Sequence, residues 1–109
     1  MGCITTYSGE AFDPAQPDSQ KIHIADIAHA LSLLCRANGH FKRFYSVGQH
    51  CVNCALEAQA RGYRPQVQLA CLLHDASEAY LADITRPVKE HLAIYLELEA
   101  RLQGVIYEK

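Results

Sequence analysis

The sequence predicts an all-α domain, a bundle of about four to five helices behind an irregular N-terminal arm. Apolar residues recur at the three- and four-residue spacing of helices through most of residues 24–109, whereas alternating patterns are confined to short pieces before them. The polar joints between the periodic segments are short, as they are between neighbouring helices of a bundle. Hydrophobic residues make up 50% of the chain and charged residues 20%, which is typical of a single globular domain with one modest core.

The N-terminal arm, residues 1–21, contains turn-forming pairs such as Ser8-Gly9 and Asp13-Pro14. Two β-prone pieces occur in and directly after it, at residues 4–7 and 22–24. We therefore expect an irregular segment that includes a small two-stranded element.

The first two helices have clear start and stop signals. Residues 24–37 carry apolar side chains at helical spacing, and Asn38-Gly39 then supplies a left-handed stop. Ser46 is a favourable N-cap for a second helix, which is predicted to run to about residue 60 and to close at Gly62.

Prolines open the last two predicted helices. Pro65 stands at a first-turn position, and the helix it begins is predicted to continue to about Tyr80. Pro87 begins a fourth helix whose apolar register continues to Lys109. Because that helix shows neither a cap nor a closing turn, we expect the single domain, residues 1–109, to be C-terminally truncated and to lack its last helix.

The bulk properties argue against several classes of protein. A formal net charge of −2 does not suit a nucleic-acid surface that depends on a large basic excess. The chain shows no secretory signal pattern, and no stretch approaches the roughly 20 apolar residues that span a bilayer. Five cysteines, an odd number without a signal peptide, favour reduced thiols. We therefore expect a cytoplasmic protein with neither membrane nor nucleic acid as a partner.

An adjacent His74-Asp75 pair lies in the apolar third segment, where both side chains are costly to bury unless something satisfies them. A divalent cation would do so, with an imidazole nitrogen and a carboxylate oxygen as ligands. Adjacent helical residues diverge by about 100°, so a further ligand must come from a neighbouring helix. His50, on the predicted inner face of the second helix, is the natural donor. Glu78 follows His74 by one turn and could position or deprotonate a water.

Alternatives remain open from the residues alone. A His-Asp dipeptide is common by chance, and a histidine on an apolar helix is usually a hydrogen-bonded core residue. The spacings of Cys51-x-x-Cys54 and Cys71-x-x-His74 would suit a structural zinc site, which predicts a small zinc-stabilised binding module instead of an enzyme. Against that module, small cysteines on apolar stripes behave as core residues.

Read together, several runs resemble a known family. They lie at residues 44–50, 74–80 and 83–89, with upstream similarity at 26–32 and 35–40, all in order and covering nearly the whole chain. The sequence is similar in these runs to the short bacterial and phage phosphohydrolases of the HD superfamily, a group that includes 5′-deoxynucleotidases. The resemblance implies an HD-domain helical bundle.

The resemblance assigns the metal site and the catalytic groups. His50, His74 and Asp75 match the family's metal ligands. Glu78 matches the acidic residue credited with water activation or proton transfer. Asp83 matches a second active-site acid, near the substrate's sugar or leaving group.

The substrate side is implied in the same way. Arg36 lies where relatives place a phosphate-contacting arginine, and a guanidinium there could hold a monoester phosphate in bidentate fashion. His40 could assist at that phosphate or cap the end of the first helix. The implied activity is metal-dependent hydrolysis of (deoxy)nucleoside 5′-monophosphates. The implied cofactor is one divalent transition-metal cation, manganese, cobalt, iron, nickel or zinc.

The chain departs from the family's pattern in one respect, because no residue after Asp83 matches its final metal-binding aspartate. A truncated chain, a naturally short version, or completion of the site by another subunit would each account for this. An incomplete bundle would expose an apolar face, which predicts a homodimer. A catalytically silent protein that binds a nucleotide or a partner is the alternative to an enzyme.

Overall fold

A two-stranded antiparallel ribbon opens the computed structural model, which describes residues 2–109. Its strands are β1 (Ile4–Thr5) and β2 (Ala11–Phe12), paired so that Ile4 faces Phe12. Six α-helices follow within the described residues, which confirms the all-α prediction: α1 (Ile24–Leu33), α2 (Val47–Ala60), α3 (Pro65–Leu73), α4 (Glu78–Leu81), α5 (Arg86–Lys89) and α6 (Ala93–Glu108). Two short 3₁₀ turns, Ser19–Lys21 and Arg36–Gly39, connect them. No helix in this part of the chain is both long and apolar enough to cross a membrane.

The hydrophobic core lies where the ribbon, α1, α2, the α3–α4 segment and α6 meet. Phe12 of β2 is fully buried and stacks on Tyr80 of α4, with ring centroids 4.3 Å apart. Such aromatic pairs add about 0.5–1.5 kcal/mol beyond the burial of their surface. The N-terminal arm is also held by Asp26, whose carboxylate accepts hydrogen bonds of 2.8 Å from both the backbone N–H and the hydroxyl of Ser8. The buried cluster comprises Phe12, Ile22, Ile27, Leu31, Val47, Cys51, Ala76, Tyr80, Leu102 and Ile106.

The predicted two-stranded element is present, but its pairing involves β2 and not residues 22–24, since Ile24 begins α1. The start of α2 agrees with the prediction, because the Ser46 hydroxyl accepts a hydrogen bond of 3.0 Å from the backbone N–H of Gln49. Pro65 likewise stands at the first position of α3.

The first helix ends at Leu33, four residues before the predicted end. Beyond it the chain forms backbone hydrogen bonds with the approach to α2: Arg36 N–H donates to Tyr45 O (2.9 Å) and Val47 N–H to Leu34 O (2.8 Å). These hydrogen bonds take the place of the helical ones that the chain would form if α1 continued. Asn38 and Gly39 do adopt positive φ, 54° and 80°, but within the 3₁₀ turn of this loop.

The predicted third helix is broken. The regular helix stops at Leu73, and His74 to Ser77 form turns before α4 begins. The side chain of Gln103, on α6, lies across this break: its amide nitrogen donates to Leu73 O (2.8 Å) and its amide oxygen accepts from Ser77 N–H (3.0 Å). Gln103 is thus the partner of Ser77 N–H and adds a second hydrogen bond to Leu73 O, which also accepts from Ala76 N–H (3.0 Å), so neither group is unpaired at the break.

The predicted fourth helix is also two helices. Pro87 lies in the first turn of α5, as expected, but the chain turns after Lys89 and the regular helix resumes only at Ala93. Tyr95, near the start of α6, donates a hydrogen bond of 2.8 Å from its hydroxyl to Ala82 O. This contact ties the new helix to the segment that follows α4.

Replacing Gln103 by alanine should destabilise the fold by about 1–3 kcal/mol, because Ser77 N–H loses its partner, whereas Leu73 O keeps its hydrogen bond from Ala76 N–H. Urea denaturation followed by circular dichroism measures the change. The exposed helical Gln59→Ala is the matched control and should change stability by less than about 0.5 kcal/mol. Equal midpoints for the two variants would contradict the bridging role.

Glycine 48 allows α1 and α2 to approach closely. A Cβ at Gly48 would lie 3.2 Å from both Leu31 C and Ser32 N of the α1 backbone, so Gly48→Ala should cost about 1–3 kcal/mol. Gly104 lies in α6, with nothing within 4 Å of an added Cβ, and Gly104→Ala should instead gain about 0.5–1 kcal/mol. We expect Gly48→Ala to lower Tm and Gly104→Ala to raise it. A loss of stability in Gly104→Ala alone would contradict this packing.

Candidate metal centre and its cavity

A cavity of about 380 Å³ opens beside the break between α3 and α4. It combines side chains from the 3₁₀ turn after α1, from α2, from the break itself and from the segment leading into α5. All the site residues predicted from the sequence line it except His40. The full lining consists of Arg36, Ala37, Phe41, His50, His74, Asp75, Glu78, Asp83, Ile84, Thr85, Arg86 and Lys89.

One carboxylate oxygen links the three predicted metal ligands. Asp75 Oδ2 lies 3.5 Å from His50 Nε2 and 3.1 Å from His74 Nε2. Two donor atoms that share one ion at about 2.1 Å, with angles between 90° and 109°, lie about 3.0–3.4 Å apart. Both distances are therefore close to those of a nitrogen and an oxygen on a common cation.

His74 and Asp75 reach the same cavity from the segment between α3 and α4. His74 keeps helical backbone angles (φ −63°, ψ −27°) at the end of α3, its ring lies 5.3 Å from the ring of His50, and Asp75 Oδ2 lies 3.5 Å from His50 Nε2. His74 Nδ1 lies 2.6 Å from Cys71 O, to which it donates as N–H. This bond leaves Nε2 as the available ligand atom in the neutral ring, which is the usual arrangement around metal-binding histidines.

Burial, hydrogen bonds and neighbouring charges act differently on the three predicted ligands. Burial lowers the pKa of His50, with Arg36 adding to the effect, so this imidazole is neutral at physiological pH. The hydrogen bond to Asp75 raises the pKa of His74. Burial opposes the charged form of Asp75, but the hydrogen bond and charge of His74 hold the pKa of this carboxyl below its usual range. Asp75 is therefore a carboxylate.

Glu78 begins α4 and is 4% exposed, and its Oε1 has no hydrogen-bond partner in the described part of the chain. Burial, followed by the neighbouring charges of Asp75 and Asp83, raises the pKa of Glu78 to about 9. The side chain is thus a neutral carboxylic acid at physiological pH in the metal-free protein. A buried unpaired oxygen beside metal-type ligands is typical of a site that receives a ligand, a water or an ion.

Asp83 lines the cavity but also supports a neighbouring loop. Its Oδ2 accepts a hydrogen bond of 3.0 Å from Ala37 N–H, across 46 residues of sequence. Ala37 and Asn38 both have left-handed backbone angles, φ 55° and 54°, which cost a non-glycine residue about 1–2 kcal/mol. The bond from Asp83 helps to hold this strained turn, and with it Arg36.

His40 lies apart from the other predicted residues. It is exposed at the end of the 3₁₀ turn, where its backbone N–H donates to Ala37 O, and it does not line the cavity. The alternative role, capping the first helix, is excluded because α1 already ends at Leu33.

Two cationic residues of the cavity were not predicted from the sequence. Arg86 and Lys89 lie on α5, three residues apart, and both reach the cavity. Lys89 Nζ is 3.1 Å from Glu99 Oε2, whereas no ion pair of Arg36 or Arg86 is found among residues 2–109. The run Arg86-Pro87-Val88-Lys89 directly after Asp83 was the available signal, since Pro87 predicts the helix start that places both cations.

Two of the five cysteines also lie beside the imidazoles. The ligand atoms of His50, Cys54 and His74 lie within 4.8 Å of one another, and those of Cys51, His74 and Asp75 do likewise. Burial raises the pKa of Cys51 to about 11, which keeps it a thiol within the core. Donor atoms that could hold a metal ion are therefore gathered on both sides of His74.

Comparisons with known proteins find longer relatives. No family model matches the chain. It is 41% identical over 110 residues to the uncharacterized protein YfdR of Escherichia coli K12, covering 100% of this chain and 58% of YfdR. It is 38% identical over 105 residues to an uncharacterized protein of Rhodobacter capsulatus, covering 92% of this chain and 54% of that protein. The chain thus spans little more than half the length of these curated relatives.

Glu78→Gln should become progressively more stable than the wild type as the pH rises from about 5 to about 9 in metal-free protein. A carboxyl whose folded pKa is raised to about 9 keeps its proton in the folded state but loses it in the unfolded state, so rising pH favours unfolding of the wild type. The difference should exceed about 1 kcal/mol at pH 8. Urea denaturation in the presence of a chelator measures it.

The exposed helical Glu97→Gln is the control for this experiment and should follow the wild type. Parallel stability curves for wild type and Glu78→Gln across this pH range would contradict the assignment of a neutral, buried Glu78.

Proposed function

We propose that this protein is a metal-dependent phosphohydrolase of the HD superfamily, acting on the phosphomonoester of (deoxy)nucleoside 5′-monophosphates. The main support for the proposal is that Oδ2 of Asp75 lies within 3.5 Å of a ring nitrogen of both His50 and His74. The same cavity is lined by the buried acid Glu78 and by Arg36 and Arg86. These are the groups that phosphoryl transfer to water requires.

The ligand set fits a divalent transition metal. His50, His74 and Asp75 would hold it, with two imidazole nitrogens and one carboxylate oxygen. This set suits manganese, cobalt, iron, nickel or zinc. When bound, the cation supplies charge stabilisation to the phosphoryl group and lowers the pKa of a water.

The cationic side chains bind the phosphate. Arg36 and Arg86 line the cavity from different elements, and their planar guanidinium groups can each bind a phosphate through two N–H donors. Two arginines balance the two negative charges of a phosphomonoester. Lys89 contributes less, because Glu99 already neutralises it.

Glu78 moves the proton. As P–O bond cleavage proceeds and water oxygen bonds to phosphorus, the leaving oxygen of the nucleoside gains negative charge. Glu78, buried beside the proposed ligands, can donate a proton to that oxygen and then accept the proton that the attacking water gives up. The unpaired Oε1 is the atom available for this transfer.

Two features support a nucleoside as the organic part of the substrate. The cavity, about 380 Å³, lies in the range of small-molecule sites, about 300–1,000 Å³. Phe41 lines it with half of its surface exposed and contacts Tyr45 edge-on, at 5.7 Å between ring centroids. An accessible aromatic ring of this kind can stack on a nucleobase, a contact that is tolerant of base identity.

Phosphate release from a panel of nucleoside monophosphates, with added manganese or cobalt, tests the proposal. Asp75→Asn and Glu78→Gln should each reduce the rate at least about 100-fold, because they remove a metal ligand and the proton donor. Metal content of the same samples should fall in Asp75→Asn and persist in Glu78→Gln.

The exposed Glu57→Gln makes the same chemical change outside the cavity and should retain the wild-type rate. Release that is unaffected by Asp75→Asn would contradict the proposal. Nucleotide binding without any release would instead identify a catalytically silent binding protein.

A further inference from the structure

A thiol lies beside the imidazole pair in addition to the carboxylate of Asp75. Cys54 follows His50 by one helical turn on α2, and its Sγ lies 3.8 Å from His50 Nε2 and 3.9 Å from His50 Nδ1. Together with His74, these residues place one sulfur and two nitrogen donors within 4.8 Å of one another. This second set of donors shares its two imidazoles with the site that includes Asp75.

The two sets overlap in the cavities that they line. His50, His74 and Asp75 line the cavity described above, whereas Cys54 lines a neighbouring open concavity formed by α3 and the end of α6. His74 lines both. It is therefore the donor that the oxygen-bearing and the sulfur-bearing concavities share.

The distances suit coordination by a soft cation. A sulfur at about 2.3 Å and a nitrogen at about 2.1 Å from one tetrahedral ion lie about 3.6 Å apart. The separation of 3.8 Å between Cys54 Sγ and His50 Nε2 is close to this value. His74 is held in place by its Nδ1–H bond to Cys71 O, which leaves Nε2 available.

We propose that His50, Cys54 and His74 form a site for a thiophilic divalent cation, zinc under physiological conditions, which competes with the site completed by Asp75. Binding converts the Cys54 thiol to a thiolate, forms the metal–sulfur bond and releases one proton to solvent. Two imidazoles and one thiolate leave a fourth tetrahedral position open for water or a ligand.

The softness of the ligands determines whether a cation binds the set that includes Asp75 or the set that includes Cys54. Thiolates favour zinc and cadmium, whereas a carboxylate is better suited to manganese. Because both sides use His50 and His74, a cation bound to Cys54 removes the imidazoles from Asp75. The Cys54 site stands on its own geometry, and the inhibition of hydrolysis that follows from it rests on the proposed function.

Cadmium titration of the reduced, metal-free protein tests the site, with ultraviolet thiolate-to-cadmium charge-transfer absorbance as the readout. Wild type should give a saturable signal. Cys54→Ser should lose the signal and weaken cadmium binding at least about tenfold, and Cys54→Ala should behave identically. Circular dichroism confirms that each variant is folded.

Cys71→Ser is the matched control, because Cys71 lines the same concavity but contacts His74 through its backbone carbonyl. It should keep the signal, as should Asp75→Asn. An unchanged signal in Cys54→Ser, or its loss in folded Cys71→Ser or Cys51→Ala, would overturn the proposal.

The same samples separate the two proposals. Manganese-dependent phosphate release from wild type that falls on addition of cadmium, and resists cadmium in Cys54→Ser, supports the competition. A thiolate signal in a protein that releases no phosphate with manganese would refute the hydrolase and leave the Cys54 site intact.

Discussion

The contact of Asp75 Oδ2 with both His50 Nε2 and His74 Nε2 is the interaction on which the candidate site depends. It joins α2 to the segment between α3 and α4, where the regular helix is interrupted. At this interruption Gln103 is the partner of Ser77 N–H and a second hydrogen-bond donor to Leu73 O. An amide on α6 thus supports the segment that carries His74 and Asp75, about thirty positions earlier in the chain.

The sequence predicts the parts of the fold that depend on local signals. Ser46 and Pro65 begin helices where expected, because capping and proline preferences act within one turn. The break after Leu73 was not predictable in this way, since it depends on Gln103, and the early end of α1 depends on the bond between Arg36 and Tyr45. Periodicity reports which residues are apolar, and these interruptions arise from distant polar partners.

The same distinction explains the outcome at the site. The metal-type ligands and Glu78 were identified because they combine unusual residue types at characteristic spacing, and the structure brings them together. His40 was expected beside the phosphate because it is close to Arg36 in sequence. The left-handed turn at Ala37 and Asn38 lies between the two, and His40 does not line the cavity. Cys54 was considered as a zinc ligand with Cys51 or as a core residue, and its Sγ lies 3.8 Å from an imidazole nitrogen one turn away.

The electrostatics of the cavity are costly for stability. Asp75, Glu78 and Asp83 lie together, and the neutral form of Glu78 avoids a third adjacent negative charge. An unpaired buried oxygen and two left-handed residues add to the cost. The core offsets it, in particular through the stacking of Phe12 on Tyr80 in the helix that begins with Glu78.

The Gln103 bridge also has a consequence for biosynthesis. The segment that carries His74 and Asp75 receives two hydrogen bonds from a residue synthesised about thirty positions later. While the ribosome has released the chain only as far as α5, Ser77 N–H lacks this partner and Leu73 O has only its bond from Ala76 N–H. In a nascent chain this segment therefore gains the support of Gln103 only when α6 docks.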